Sequence, residues 1–166
     1  ELIPGYADAV CAEIESAAEK YRGYTADTVY FGGGTPTVLR PEDFGKILSS
    51  VRRAFGITGD AEISTECNPG TVNAGYLQKL RSAGVNRLSI GVQSADAGEL
   101  KALGRLHPFG DFADCVKWAR EAGFDNISAD VMYGIPGQTL GSYEKTLREV
   151  CGLGVDHLSA YCLRLE

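Results

Sequence analysis

Residues 28–37 read Thr-Val-Tyr-Phe-Gly-Gly-Gly-Thr-Pro-Thr, a strand-forming run followed by three glycines. The β-branched and aromatic residues at 28–31 predict a short buried strand. The glycines have no side chains and tolerate a positive φ, so their backbone N–H and C=O groups can approach a ligand closely. Pro36 favours an extended conformation for Thr35. Taken alone, the stretch fits an ordinary tight turn equally well, and only other parts of the chain distinguish the two interpretations.

The composition is typical of a soluble globular domain, or of a piece of a larger one. The chain has 166 residues, of which 44% are hydrophobic and 23% charged, and its net charge is −6. It has no basic cluster, so we expect no nucleic-acid partner. It has no apolar run of transmembrane length and no recognisable signal peptide, so we expect a cytoplasmic protein without a transmembrane segment.

The cysteines are widely scattered, and no pair has C-x-x-C or other metal-ligand spacing. They are Cys11, Cys67, Cys115, Cys151 and Cys162. We therefore predict no metal site in the chain. The favoured interpretation is that they are small, buried, apolar side chains in a reducing cytosol.

Strand patterns and helix patterns alternate along the whole chain at intervals of about 30 residues, the size of a βα unit. Strands are predicted at 28–31, 61–66, 86–93, 124–132 and 157–163, and helices at 4–21, 41–56, 73–83, 96–103, 111–122 and 140–151. This alternation predicts an α/β fold with a parallel sheet and right-handed crossovers. Five units are too few for a full eight-fold barrel, so the sheet is either a partial barrel or an open doubly wound sheet.

Polar residues follow the predicted strands at their C-terminal ends, where both topologies bind ligands. They are the 32–35 loop, Glu66, Gln93 and Asp130, with Arg105 in the loop region beyond Gln93. Arg105 can bind a carboxylate with a bidentate fork. Glu66, together with exposed backbone carbonyls, can hold an ammonium group, and Gln93 and Asp130 suit ribose hydroxyls. The set therefore predicts a site for a zwitterion that bears a sugar.

Six motifs follow one another in order along nearly the whole chain: Phe31-Gly32-Gly33-Gly34-Thr35-Pro36-Thr37, Glu66-x-Asn68-Pro69-Gly70-Thr71, Arg87-x-Ser89-x-Gly91-x-Gln93-Ser94, Leu103-Gly104-Arg105-x-His107, Asp130-x-Met132-x-Gly134-x-Pro136-Gly137-Gln138-Thr139 and Ser159-Ala160-Tyr161. On these motifs the chain resembles radical S-adenosylmethionine (SAM) proteins of the oxygen-independent coproporphyrinogen III oxidase-like and heme chaperone family. Two of the motifs, at 103–107 and 159–163, are closer to the heme chaperone branch than to the decarboxylating oxidase.

The resemblance implies a fold, a domain and a set of SAM contacts. The fold is a partial TIM-like (β/α)6 radical SAM barrel, of which this chain represents strands two to six with a parallel sheet and outer helices. Residues 1–166 are then one radical SAM core domain, incomplete at both ends. No catalytic residue is implied. The implied SAM contacts are Gly33, Gly34, Thr35, Glu66, Gln93, Arg105 and Asp130.

The resemblance also implies partners that the chain does not hold by itself. The family's C-x-x-x-C-x-x-C loop, which carries a [4Fe–4S] cluster, does not occur in this sequence. We therefore expect the cluster ligands to belong to the full-length protein outside this chain, and the chain alone to bind no cluster and to be inactive. The small-molecule partners implied are SAM and heme or a porphyrinogen.

Three functions compete. One is a chaperone that binds heme and delivers it to target proteins. The second is a true oxidase, which uses a 5′-deoxyadenosyl radical to remove carbon dioxide from the propionates of coproporphyrinogen III. The third lies outside the family and is a phosphate-binding barrel enzyme that uses the Gly32–Gly34 loop. It ranks lowest because it leaves Glu66, Arg105 and Asp130 without a role.

Overall fold

Five parallel strands form the sheet of the described chain, which comprises residues 3–105 and 107–164 of a computed structural model. They pair side by side in chain order. The strands are β1 Ala26–Phe31, β2 Ile57–Cys67, β3 Arg87–Gln93, β4 Asn126–Tyr133 and β5 His157–Cys162. The helices are α1 Ile3–Ala17, α2 Pro41–Ala54, α3 Ala74–Ala83, α4 Ala97–Ala102, α5 Phe109–Glu121 and α6 Leu140–Gly152. Short 3-10 turns lie at Pro36–Val38 and Pro69–Thr71.

The strand order decides between the two predicted topologies. A doubly wound sheet reverses its strand order at a switch point, whereas this sheet runs from β1 to β5 without a reversal. Parallel strands in sequential order, each joined to the next through helix, form an arc of a (β/α) barrel. The prediction of a partial TIM-like barrel is therefore confirmed, and the open doubly wound sheet is excluded.

The two faces of the sheet differ in composition because successive side chains of a strand point to opposite sides. On the apolar face, alternate strand residues pack against the helices in one buried core. This face includes Val29, Phe31, Ile63, Leu88, Ile90, Ile127 and Val131, and the helices contribute Phe44, Leu48, Leu77, Leu80, Phe112 and Val116. On the polar face, the intervening residues are Tyr30, Ser64, Glu66, Arg87, Ser89, Ser128, Asp130, Ser159 and Tyr161.

Two element boundaries differ from the predicted ones by four residues, and both of these differences come from tertiary contacts. β2 begins at Ile57 rather than at residue 61. Ile57 pairs with Ala26 of β1, and this pairing extends the strand through Gly59 and Asp60, which have low strand propensity. α1 ends at Ala17, four residues early, because Tyr21 remains exposed and gives the last predicted turn little to pack against.

Side-chain caps set the starts of two helices that follow strand ends. Asn73 accepts a hydrogen bond from the N–H of Tyr76 (2.9 Å) and starts α3. Thr139 and Ser142 form a reciprocal capping box at the start of α6. The predicted stop of α3 is confirmed, since Gly84 adopts φ 112°, in the left-handed region that glycine tolerates best. The loop after β2 therefore ends at Asn73, and the loop after β4 ends at Thr139.

The helices of the described chain are short and amphipathic. The longest, α1, has 15 residues. Among residues 3–105 and 107–164, no helix has both the length and the apolar character that crossing a bilayer requires.

The prediction that the cysteines are buried is correct for three of them and wrong for two. Cys11, Cys67 and Cys115 are buried, and the sulfur atoms of Cys67 and Cys115 lie 3.9 Å apart between β2 and α5. Cys151 and Cys162 are exposed. They lie in the last turn of α6 and at the end of the edge strand β5, where the described chain provides no packing partner for them.

Candidate functional site

A cavity of about 490 Å³ lies on the polar face at the C-terminal ends of the strands. Six of the seven predicted site residues line it: Gly34, Thr35, Glu66, Gln93, Arg105 and Asp130. The seventh, Gly33, borders the cavity, and its N–H donates a hydrogen bond to Oε2 of Glu66 (3.2 Å). Residues that are up to 97 positions apart in the sequence therefore meet at one place, as expected from a parallel sheet.

The glycine loop needs its glycines for two different reasons. Gly33 and Gly34 have φ values of 86° and 62°, as the sequence predicted. Gly32 does not have a positive φ, but a Cβ atom there would lie 2.2 Å from Cε1 of Tyr30 and 3.1 Å from Oε1 of Glu66. The ring of Tyr30 thus lies directly across the backbone of Gly32. Any side chain at position 32 would displace the aromatic ring.

Gln93 is buried with an unusual backbone conformation and an unpaired side-chain acceptor. It is the one non-glycine residue in the described ranges 3–105 and 107–164 with a positive φ, 58°. The residue is only 2% exposed, and its Oε1 has no hydrogen-bond partner within these ranges. The amide lies over Gly91, where a Cβ would be 2.7 Å from Nε2. A buried acceptor without a donor is unfavourable, so this oxygen fits a ligand hydroxyl or N–H group.

Asp130 is a half-buried carboxylate held by a neighbouring strand. The Ser89 hydroxyl contacts both carboxylate oxygens, at 3.0 and 3.1 Å. Burial raises the pKa of Asp130, and the nearby charge of Glu66 adds to this increase. The Ser89 hydrogen bond and the Arg87 guanidinium act in the opposite direction. The net effect is a pKa above the ordinary value for an aspartate.

Glu66 is held from two sides by the glycine strand and its loop. The Tyr30 hydroxyl donates to Oε1 at 2.6 Å, while the Gly33 N–H donates to Oε2. Burial and the Glu66 carboxylate raise the pKa of Tyr30 to about 12, so the phenol stays protonated as a donor at neutral pH. A carboxylate has about four acceptor positions, and two of them remain for a ligand.

Arg105 completes the charge pattern of the cavity. Its backbone N–H donates to the Leu100 carbonyl at the end of α4 (2.9 Å), which fixes the loop. With the residues that the structure describes, its side chain makes no salt bridge, so its guanidinium is available to an anion. His107 is buried beside it, and burial followed by the Arg105 charge lowers the pKa of His107.

Several cavity residues were given no role by the sequence analysis. They are Tyr30, Asn68, Arg87, Ser89, Ser128 and Ser159. For Arg87 and Ser89 the signal was the alternation in β3, where Arg87, Ser89, Gly91 and Gln93 occupy every second position. A strand with polar residues on one face and Leu88, Ile90 and Val92 on the other indicates a polar face that is itself part of the site.

The described residues do not fit an iron–sulfur cluster. Across residues 3–105 and 107–164, no group of three or more His, Cys, Asp or Glu side chains is placed to hold a metal ion. The donor set fits an organic zwitterion instead, with a free cation at Arg105, carboxylates at Glu66 and Asp130, and the unsatisfied amide of Gln93.

The family model of the Radical SAM superfamily matches residues 4–150. The chain therefore belongs to the radical SAM superfamily, whose members use SAM and a [4Fe–4S] cluster, and the family expected from the sequence motifs is confirmed.

The chain is similar to curated proteins of both branches named above. It is 38% identical to the heme chaperone HemW of Bacillus subtilis over 162 residues, which is 97% of this chain and 43% of that protein. It is 37% identical to the oxygen-independent coproporphyrinogen III oxidase of Bradyrhizobium diazoefficiens, covering 97% of this chain and 36% of that protein. The chain thus spans less than half of the length of these relatives.

A solved structure supports the same relationship. Coproporphyrinogen III oxidase (HemN) from Escherichia coli superposes with a TM-score of 0.90 at 33% identity, over 98% of this chain and 37% of that one. Methylornithine synthase superposes with a TM-score of 0.69 at 17% identity, a level that shows the shared fold alone.

Proposed function

We propose that residues 1–166 form the SAM-binding core domain of a radical SAM protein in heme or porphyrin metabolism, most similar to the heme chaperone branch. The observation that carries the proposal is the buried Oε1 of Gln93. Among the residues that the structure describes, this oxygen has no donor and the Arg105 guanidinium has no salt bridge, and both groups share a cavity with Asp130. A ligand with ribose hydroxyls and an amino-acid end would satisfy all three groups.

Each predicted contact has a physical role in this proposal. Arg105 binds the ligand carboxylate with its planar fork. Glu66 accepts from the ammonium group, and the backbone of Gly33, Gly34 and Thr35 lies close along the amino-acid end. Gln93 and Asp130 accept hydrogen bonds from the ribose. When bound, SAM and a reduced [4Fe–4S] cluster supply one-electron chemistry; the cluster ligands belong to the full-length protein outside this chain.

The first experiment measures SAM binding to the anaerobically purified full-length protein by calorimetry. Arg105→Ala should weaken binding by about 2–5 kcal/mol, because it leaves the ligand carboxylate buried and unpaired. The SAM affinity of Arg105→Lys should lie between those of the parent and Arg105→Ala, because lysine keeps the charge but lacks the planar fork. Gly33→Ala is the control on the other side of the cavity, and strain at φ 86° together with the added Cβ should weaken binding.

The outcome separates a binding role from a structural one. If Arg105→Ala binds SAM as tightly as the parent while Gly33→Ala does not, Arg105 is a structural residue. The ligand carboxylate must then be bound by another group.

The branch assignment needs a second measurement, because relatives of both names match. A heme chaperone binds heme without consuming coproporphyrinogen III, whereas an oxidase releases carbon dioxide from it. Heme titration and an anaerobic turnover assay on the same full-length preparation distinguish the two. Stoichiometric heme binding without turnover supports the chaperone, and turnover supports the oxidase.

The phosphate-binding alternative is disfavoured by the charges around the glycine loop. Glu66 takes the Gly33 N–H that a phosphate would need, and its carboxylate would repel a phosphate at that position. Binding of a phosphorylated metabolite without binding of SAM would reverse this ranking.

We further propose a cytoplasmic location and no nucleic-acid partner. All five cysteines lie in the described chain as free thiols, which is typical of a reducing compartment. The net charge of −6 disfavours binding to a phosphate backbone. Fractionation of the native cell and a nucleic-acid binding assay at low salt test the two statements.

A further inference from the structure

We propose that Tyr30 is a positioning residue that fixes the Glu66 carboxylate for recognition of the ammonium group of the ligand. The inference rests on the proposed function, because it requires a ligand with an amino-acid end in this cavity. It assigns to the exposed phenol of Tyr30 a part in discriminating between adenosine ligands that do and do not carry an amine.

The register of the sheet places the two groups in contact. Tyr30 of β1 pairs with Ser64 of β2, so Glu66 lies two residues further along and on the same face. The phenol reaches this diagonal neighbour because its ring lies across Gly32, where a Cβ would be 2.2 Å from Cε1. The bare backbone of Gly32 therefore determines the direction of the hydroxyl, which donates to Oε1 of Glu66 at 2.6 Å.

Core packing does not explain the conformation of Tyr30. The residue is 58% exposed. Its hydroxyl hydrogen bond goes to Glu66. The phenylalanine variant keeps the ring over Gly32 and removes only the donor. An effect of that variant on ligand binding is therefore an effect of the hydroxyl.

The charge on Glu66 strengthens the hydrogen bond from Tyr30. A phenol that donates to a carboxylate forms a charge-assisted bond, stronger than one between neutral partners. With the Gly33 N–H on Oε2, the carboxylate is held on both oxygens. A long, flexible side chain is thereby restricted before the ligand arrives, and less side-chain entropy is lost on binding.

The test compares three ligands on the cluster-containing full-length protein: SAM, decarboxylated SAM, which keeps the amine, and 5′-methylthioadenosine, which lacks the whole amino-acid end. Tyr30→Phe should weaken SAM and decarboxylated SAM about tenfold each and leave methylthioadenosine unchanged. Arg105→Ala should weaken only SAM. Tyr24→Phe, at another exposed tyrosine, is the matched control and should change none of the three.

A double-mutant cycle with Glu66→Gln provides the second readout. If Tyr30 acts through Glu66, Tyr30→Phe should have no further effect on SAM binding once the carboxylate is removed. Equal weakening of all three ligands by Tyr30→Phe, unchanged SAM binding, or fully additive effects in the cycle would each overturn the inference. A parent protein that binds none of the ligands overturns the proposed function as well, so the two failures are distinguishable.

Discussion

The two faces of the sheet are built from the same strands but contribute differently: the apolar face to stability and the polar face to binding. In β3, Leu88, Ile90 and Val92 lie on the apolar face and are fully or almost fully buried. Ser89 and Gln93, on the same strand, supply single polar atoms to the cavity instead. The apolar face depends on volume and area, which many side chains can supply. The polar face depends on particular atoms at particular distances, so mutations should separate stability from binding.

The largest expected effect is on the apolar face. Leu88→Ala should lower the free energy of unfolding by about 3 kcal/mol, because it removes apolar contacts and leaves a cavity at a site with no exposure. Ser128→Ala, on the polar face of the neighbouring strand, is the matched control and should change it by less than about 1 kcal/mol. Denaturant unfolding of both variants checks this. Equal losses would contradict the division between the faces.

Glu99 is the buried carboxylate that does not fit this division. It lies in α4, is 4% exposed and does not line the cavity. Its Oε2 accepts hydrogen bonds from the Ser94 hydroxyl (2.6 Å) and the Gln138 amide (3.0 Å), and Ser142 donates to Oε1. These bonds connect the loop after β3 to the loop after β4 through neutral donors.

Removing this carboxylate should have the second-largest effect. Glu99→Ala should lower the free energy of unfolding by about 2 kcal/mol, because it leaves buried donors without an acceptor. Glu99→Gln should lose less, since one amide oxygen remains and the serine hydroxyls can reorient. Unfolding midpoints of the two variants, measured side by side, test the order. Equal unfolding midpoints for the two variants would show that the hydrogen bonds to Glu99 contribute little to stability.

The smallest effect concerns the pH dependence of the polar face. The pKa of Asp130 is raised on folding, so its contribution to stability is fully present below the unfolded pKa and is lost as the pH rises through the folded pKa. Ligand binding should have the opposite sign, because only the carboxylate accepts from two ribose hydroxyls. SAM affinity should therefore fall on acidification at a higher pH than an ordinary aspartate would give.

Ser89→Ala sharpens this test. The variant removes a hydrogen bond that lowers the pKa of Asp130, so the loss of SAM affinity should move to higher pH. Asp130→Asn should bind weakly with no such transition. SAM titrations of the parent and both variants between pH 4.5 and 8 measure the shift. A transition that persists in Asp130→Asn belongs to another group.

The sequence predicted most of the fold because its signals were local. The start of α2 at residue 41 and the end of α3 at residue 83 are where the pattern indicated. The predicted site residues meet because parallel strands bring their C-terminal ends together. The extension of β2 to Ile57 depends on pairing with β1, which no local pattern contains.

The rest of the site could not be obtained from strand ends alone. Ser89 and Ser128 lie within their strands, so only the two-residue alternation of the sheet assigns them to the cavity. The hydroxyl of Tyr30 reaches Glu66 because its ring occupies the space that a side chain at position 32 would fill, and the sequence alone does not show this contact. Likewise, an ordinary glutamine in the sequence gave no indication of the left-handed backbone at position 93.

That left-handed glutamine places folding and binding under opposing selection. An L-residue in this conformation is unfavourable by about 1 kcal/mol, and glycine would remove the strain. The same replacement would delete the amide that we assign to the ligand. A lineage that still binds the ligand must keep the strained glutamine, whereas one that no longer binds it can accept glycine. The identity of residue 93 among descendants would then record whether the cavity is still in use.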